Sequence, residues 1–269
     1  MIKKLIRSPH IIEVFIGYGI VHIISILTLF YYYNKGLNEY LMGLLIGGSF
    51  YTFIEYWFHR ILLHLSPAVM KKAHDNHHKN PTKLKIICTP LLPVQIYEII
   101  MMLLISYLFG TYYAVLIQTG VSVSQIIMDF THLFEHSLWR PFILRSARSY
   151  HMLHHKKCNH NIGFGLTSCF WDFIFGTLPT PDKTSKIEGA IAWNPFIENN
   201  WLKYIQVPLP LIGFILYTPF VKKTSLDKKS DFNKLKMPEI GNLKYINCLI
   251  ALLSGIIVSI SPFFIYLLI

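Results

Sequence analysis

Cysteine and acidic residues are both scarce in this 269-residue chain. The four cysteines, Cys88, Cys158, Cys169 and Cys248, form no CxxC pair. That scatter excludes a disulfide framework and a cysteine zinc knuckle, and it fits small reduced residues in a bilayer or cytosolic setting. Asp and Glu total 14 against 25 Lys and Arg, giving a net charge of +11. Charged residues are only 14% of the chain while hydrophobic ones reach 53%, a balance that a soluble domain of this length does not have. In so apolar a chain the basic excess points to an anionic membrane surface. With no arginine-rich helix or aromatic RNA-binding signature, no nucleic-acid partner is expected. The basic start MIKKLIRSPH leads into an apolar run without a small-residue cleavage site, so that run reads as a retained first span rather than a cleaved leader.

Crossing a bilayer takes about 20 apolar residues in a helix. Residues 11–33, 40–58, 86–109 and 112–130 meet this requirement, with Pro90 and Pro93 near the start of the third run and Gly110 turning between the third and fourth. The pattern predicts two helical hairpins. Residues 243–269 form a further run long enough to span, whereas 205–220 is short and holds Pro208, Pro210 and Pro219, as a re-entrant or interfacial segment would. Five spans are therefore expected, with six as the alternative. Lys and Arg precede the first run, fill the stretch between the second and third, follow the fourth, and supply six lysines in 222–236. By the positive-inside rule these stretches face the cytoplasm. Tyr31 to Tyr33 read as an interfacial aromatic belt.

Ten of the 13 histidines fall into four short clusters, each pair of clusters following a hairpin. They are His59 and His64 in HRILLH, His74, His77 and His78 in HDNHH, His132 and His136 in HLFEH, and His151, His154 and His155 in HMLHH. Neutral imidazole is the commonest protein metal ligand. Residues three and four apart share a helix face, so each HxxHH is expected to turn its imidazoles toward one ion. His59 and His64 do not fit an α-helix: five residues turn it through about 500°, leaving the side chains roughly 140° apart. Either the helix ends between them or they serve different ions, and nearby Pro67 favours an ending. Lone His10 and His22 read as ordinary imidazoles bonded to backbone or water. Ten imidazoles exceed the needs of one ion and suit two. An all-nitrogen donor set accommodates zinc, iron or copper, and two ions with open positions suit oxygen activation by iron. Neutral ligands leave the ions' charge uncompensated, so carboxylates are expected behind them. Glu55, Asp129 and Glu135 are the candidates by position, with Asp172 and Asp75 further off.

In this order the four clusters resemble the fatty acid hydroxylase and sterol desaturase superfamily. EYWFHR, leading into the first cluster, and GFGLTSCFWDFIFGT over residues 163–177 strengthen the resemblance, which covers roughly 51–179. Four residues separate the histidines of the first cluster and three those of the third, a spacing most similar to the fatty acid 2-hydroxylase branch. Sterol desaturases and sterol methyl oxidases usually have three in the first cluster, and carotenoid hydroxylases four in both. The resemblance implies an all-α integral membrane protein in which transmembrane hairpins carry a cytosolic histidine-rich dimetal dome, here with an extra C-terminal membrane segment. It implies that all ten histidines are ligands of two iron ions, that zinc can replace iron in a purified state, and that O2 is a co-substrate. Asn161 and Asp172 would brace the site, whereas His160, outside the four motifs, reads as a loop residue with an added bracing group as the alternative. No cytochrome b5 segment precedes the first span, so the donor is expected to be a separate cytochrome b5 or ferredoxin-like protein.

Three regions are thus expected: an N-terminal membrane region at 1–50, a dimetal catalytic domain at 51–180, and a C-terminal region at 181–269 with one or two membrane segments. The expected activity is hydroxylation of a lipid acyl chain. The membrane would be the endoplasmic reticulum in a eukaryote or the inner membrane in a bacterium. Sterol desaturation or methyl oxidation is the nearest rival. A metal- or haem-handling membrane protein is the rival of a different class, and it would need ligands at mid-bilayer depth. Trp171, Phe173 and Phe175 would floor a lipid tunnel or pack as ordinary core.

Overall fold

The structure, a computed structural model, describes residues 9–65, 69–81, 91–136, 142–155, 162–179, 206–220 and 244–267. Among these residues the secondary structure is helical and no strand occurs. The helices are α1 (Pro9–Leu27), α2 (Leu37–Trp57), α3 (Val69–Lys79), α4 (Leu91–Phe109), α5 (Thr111–Glu135), α6 (Arg145–His155), α7 (Phe170–Ile174), α8 (Ile212–Tyr217) and α9 (Tyr245–Ile260). Two compact units result, and neither follows the linear order of the chain. The first gathers Met1–Tyr51, Cys88–Asp129 and Ile240–Ile269, and the second Thr52–Ile87 and Phe130–Glu239.

The first unit has the inverted polarity of a membrane bundle. Four helical stretches are long and apolar enough to cross a bilayer: Ile11–Tyr32, Leu91–Phe109, Thr111–Glu135 and Tyr245–Leu267. They correspond to the first, third, fourth and C-terminal expected spans. The second expected span is also one helix, the 21-residue α2, but Glu39, Glu55 and its glycines and hydroxyl residues dilute its apolar character and it stays outside that set. Outward faces carry exposed Phe15, Ile23, Leu104, Leu108, Leu249 and Ile257, as lipid contact requires. Several polar side chains turn inward and pair, because hydrocarbon offers them no partner. Ser25 donates to Gln118 Oε1 at 3.1 Å, Gln118 Nε2 to the Val258 carbonyl at 2.8 Å, and Tyr51 to Gln125 Oε1 at 3.0 Å. His22 is part of this interior: its Nδ1 lies 3.1 Å from the Thr119 carbonyl, the ordinary backbone-bonded imidazole expected of it. The His10 side chain lies outside the described residues. Tyr31 and Tyr32 are well exposed beside the end of α1, where a belt would sit.

Glycine sets two features of this bundle. Gly110 alone links α4 to α5, with a φ of +93° that disfavours any side chain. Gly43 and Gly47 form a GxxxG step on α2 against α5. A Cβ on Gly47 would strike the Ile117 carbonyl and sit 2.8 Å from Gly120 Cα. Backbones in this contact are closer than any larger residue permits, the usual basis of helix association in lipid. On α5, 72% of the span is buried, against 28–39% for the other three, so α5 is the central helix.

In the second unit a hydrophobic core of Ala147, Tyr150, Cys169, Leu178, Phe214 and Tyr217 joins α6, α7 and α8, with Phe173 packed against it. The segment 206–220, expected to be re-entrant or interfacial with full crossing as the alternative, is part of this core. Its helix has only six residues, about 9 Å of rise, which is far too short to cross. Phe173 is therefore core. Trp171 and Phe175 stack at 6.1 Å between centroids, and Phe175 also packs on Tyr56 and Trp57.

Substituting Gly47→Ala or Gly120→Ala is expected to destabilise the protein by about 1–3 kcal/mol through overpacking. Gly19→Ala, whose Cβ would meet nothing within 4 Å, is expected to be neutral or mildly stabilising through helix propensity. Thermal unfolding in detergent micelles separates the two cases.

Candidate metal centre

All ten clustered histidines converge within the second unit, in two groups of five. One comprises His59, His64, His74, His78 and His154, and the other His77, His132, His136, His151 and His155. Within each group one ring nitrogen per residue lies within 4.8 Å of all the others. Two nitrogens on opposite sides of a metal bound at 2.0–2.1 Å stand about 4.2 Å apart, so either group could close on one ion with small adjustments. The groups are neighbours: the His78 and His155 rings stack with centroids 4.2 Å apart.

Local structure explains how each pair is aimed. Phe58–Leu65 is π-helical, and its i→i+5 ladder brings residues five apart onto one face. His59 and His64 therefore address the same group, with Nε2 atoms 3.2 Å apart. Both expected alternatives, a helix end between them or service to separate ions, are overturned. Helix α5 runs past its expected end at residue 130 through Glu135, carrying His132 on its last turn, and His136 N still donates to the His132 carbonyl at 3.3 Å.

The two HxxHH motifs do not each serve one ion. His74 and His78 join the first group while His77 goes to the second; His151 and His155 join the second while His154 goes to the first. On an α-helix, i and i+4 differ by about 40°, whereas adjacent residues differ by about 100°. The outer histidines of HxxHH thus stay together and the middle one turns away. Each group is an upstream pair, the outer pair of its own HxxHH, and the middle histidine of the other motif.

The donor chemistry fits metal ions. His59 Nδ1 lies 2.6 Å from the Phe164 carbonyl and His154 Nδ1 lies 3.0 Å from the Ile162 carbonyl. A carbonyl only accepts, so each Nδ1 carries the proton and each Nε2 presents a lone pair to the group. Nε2 atoms of His59, His64 and His74 form a triangle with sides of 3.2, 3.0 and 3.0 Å. Three single-site imidazole nitrogens cannot satisfy three mutual hydrogen bonds, but one cation can accept all three lone pairs. In the second group His132 Nε2 and both nitrogens of His77 are buried with no hydrogen-bond partner. Burial holds His59, His74, His136, His151 and His155 well below the ordinary imidazole range, and neighbouring imidazoles push the same way. Burial takes His77 down to about 3. These rings are neutral at pH 7, the form that binds metal.

The expected carboxylates divide. Glu55 accepts from Leu166 N at 2.6 Å, Thr167 N at 2.9 Å and Thr167 Oγ1 at 2.5 Å. Asp172 accepts from Phe164 N at 2.9 Å, Gly165 N at 2.8 Å and Thr177 Oγ1 at 2.6 Å. Burial raises the Asp172 carboxyl to about 6 against the pull of these bonds. Glu135 is buried, with Oε2 3.9 Å from His151 Nδ1. Asp129 belongs to the first unit, where it accepts from Gln125 Nε2 at 2.8 Å. Asp75 is a half-exposed partner of Lys71 at 2.8 Å. His160 and Asn161 lie outside the described residues. Arg60, not singled out from the sequence, donates to Tyr56 Oη at 2.8 Å and lies over the Trp57 and Phe164 rings. Its position directly after His59 was the available signal.

Residues 44–177, half of the chain, match the family model described as fatty acid hydroxylase. The chain belongs to the fatty acid hydroxylase family. Among curated fatty acid hydroxylases it is similar to the ceramide very long chain fatty acid hydroxylase SCS7 of Saccharomyces cerevisiae, 31% identical over 169 residues, covering 55% of this chain and 41% of that one. It is also similar to the dihydroceramide fatty acyl 2-hydroxylase FAH2 of Arabidopsis thaliana (28%, 54% of this chain, 65% of the relative) and to the human fatty acid 2-hydroxylase (30%, 52% and 40%). These relatives place it in the 2-hydroxylase branch. The matches span 40–65% of these three relatives' own length. A solved structure of full-length scs7p, with only the hydroxylase domain visible, superposes with a TM-score of 0.54 at 28% identity, covering 61% of this chain and 64% of that one.

The exchange of middle histidines predicts a specific pattern of metal loss. The double variant His77→Ala/His132→Ala is expected to lose one ion and keep the other. His77→Ala/His74→Ala, which touches both groups, is expected to lose both, as elemental analysis of purified protein would register. The metal-free protein is also expected to lose stability on acidification. Below the ordinary imidazole value near 6.5 the unfolded chain takes up protons that the buried rings refuse, down to about 3 for His77. Asp172 acts in the opposite sense between 3.8 and about 6, but it is outnumbered. Melting temperature after chelation should therefore fall steadily from pH 7 to pH 5; a flat or rising profile contradicts the assignment.

Proposed function

We propose that this chain is a membrane-bound non-haem di-iron oxygenase that hydroxylates a lipid acyl chain. The single observation that carries the reading is the convergence of ten imidazoles into two five-nitrogen groups inside a fatty acid hydroxylase domain. Iron bound there would supply the reductive activation of O2, one oxygen atom entering a C–H bond and the other leaving as water with two electrons and two protons. The chain's own work is to hold the ions with lone pairs already aimed inward, to keep the rings neutral by burial, and to exclude bulk water. Electrons come from a donor protein such as cytochrome b5 or a ferredoxin-like protein.

The names of the relatives, which specify ceramide and fatty acyl chains, support this substrate class. A fatty acid or ceramide-type lipid already lies in the bilayer that the apolar helices are built to occupy. The distribution of lysine and arginine supports a centre on the cytoplasmic side, at the endoplasmic reticulum or a bacterial inner membrane. Zinc in place of iron would leave the fold intact and remove the redox chemistry.

Iron-loaded protein given a ceramide or free fatty acid, a reductant and isotopically labelled O2 is expected to yield a product with one labelled oxygen on the acyl chain. His59→Ala and His132→Ala, one from each group, are expected to abolish it. A fully iron-loaded preparation that consumes no O2 with any acyl lipid overturns the proposal. A product with a new double bond and no added oxygen would assign the site to desaturation instead.

A further inference from the structure

We propose that Glu55 and Asp172 are positioning residues that fix the imidazoles of the His59 group alone, through the backbone strap at residues 162–167, so that the two metal sites differ in affinity. The inference rests on the dimetal reading above.

The strap is held from behind and used in front. Behind it, Asp172 takes the amides of Phe164 and Gly165 on separate oxygens, 2.9 Å on Oδ1 and 2.8 Å on Oδ2, and Glu55 takes the next two amides, Leu166 and Thr167, both on Oε1. Four consecutive N–H groups are thus tied to two buried carboxyls. Space is tight as well: a Cβ on Gly165 would collide with the Ser168 carbonyl and stand 3.0 Å from Asp172 Oδ2. In front, the Phe164 carbonyl takes His59 Nδ1 and the Ile162 carbonyl takes His154 Nδ1. Two of the five rings in this group therefore have tautomer and orientation set before metal arrives. Asp172 also polarises the Phe164–Gly165 peptide unit, whose carbonyl accepts the His59 proton, which makes His59 Nε2 a stronger donor to a cation.

Among the described residues the other group has no such support. His77 Nδ1, His136 Nδ1 and His155 Nδ1 are buried without any hydrogen-bond partner. The nearest acid, Glu135, is 3.9 Å from His151 Nδ1, beyond hydrogen-bond reach. These rings must be oriented by the ion itself, which lowers the net affinity. Loss of a group that orients a metal-bound histidine typically weakens binding about 10–100-fold, and the same factor sets the scale of the difference between the sites.

Cobalt(II) binding to the full-length protein in detergent tests this by its visible absorption and by competition with a chelator. Wild type is expected to bind two ions with affinities differing by about 10-fold or more. The tighter ion should persist in His132→Ala/His136→Ala and be lost in His59→Ala/His64→Ala. Glu55→Ala and Asp172→Ala should weaken the His59-group ion about 10–100-fold and change its spectrum, while the other ion stays within about threefold and reports that the unit is folded. Glu55→Gln keeps one oxygen able to accept both amides and should restore binding to within about threefold. Asp172→Asn, which needs two acceptor oxygens, should not. Equal affinities in wild type, or Glu55→Ala weakening both ions alike or neither, overturn the inference while leaving the dimetal reading intact. Wild type that binds no cobalt overturns that reading, and this inference with it.

Discussion

Ten imidazoles packed against one another, most of them buried, are the constraint on which the structure turns. In the His59 group three Nε2 atoms crowd to within 3.0–3.2 Å of one another, more nitrogens than mutual hydrogen bonds could satisfy. In an apolar environment such frustration is expensive. A cation at the focus of each group relieves it at once. The π-helical turn after α2, the extension of α5 to Glu135 and the strap at 162–167 all serve to bring those nitrogens to two points.

The exchange of His77 and His154 between groups has a structural consequence. Each group takes ligands from both halves of the histidine-bearing sequence, so neither can form until the segment around α3 and that around α6 have come together. Stacking of His78 on His155 at 4.2 Å lies along the same seam. Folding of the second unit and assembly of the two histidine groups are in this sense one event. That places the energetic weight on a few short helices whose sequences, rich in histidine and lysine, would be poor core formers alone.

Much of this was legible in the sequence. The ten histidines that converge, the helical class, the membrane runs and the family all follow from cluster spacing, hydropathy and charge. Three features were not. The pairing of His59 with His64 needs i→i+5 geometry, and nothing in FHRILLHL announces a π-helix except the five-residue spacing itself. Division of each HxxHH between groups was available from the angular difference between i+4 and i+1 neighbours, but a shared-face argument treats all three residues alike. Segment 206–220 is apolar enough to leave full crossing open; its six-residue helix instead sets Phe214 and Tyr217 into the core while Ile212, Ile215 and Leu216 stay exposed. Apolarity alone cannot distinguish lipid from protein interior. The hold of Glu55 and Asp172 on the backbone depends on tertiary contacts with residues 164–167 that no local pattern announces.

The most direct test of the central claim is an anomalous-scattering map from crystals of the metal-loaded protein, collected at the absorption edge of the bound element. The account predicts two peaks per chain. One should be bounded by His59, His64, His74, His78 and His154, and the other by His77, His132, His136, His151 and His155, with nitrogen ligands at about 2.0–2.1 Å if the metal is zinc. A single peak bridging both groups, two peaks with each HxxHH wholly on one ion, or no peak among these side chains would contradict it.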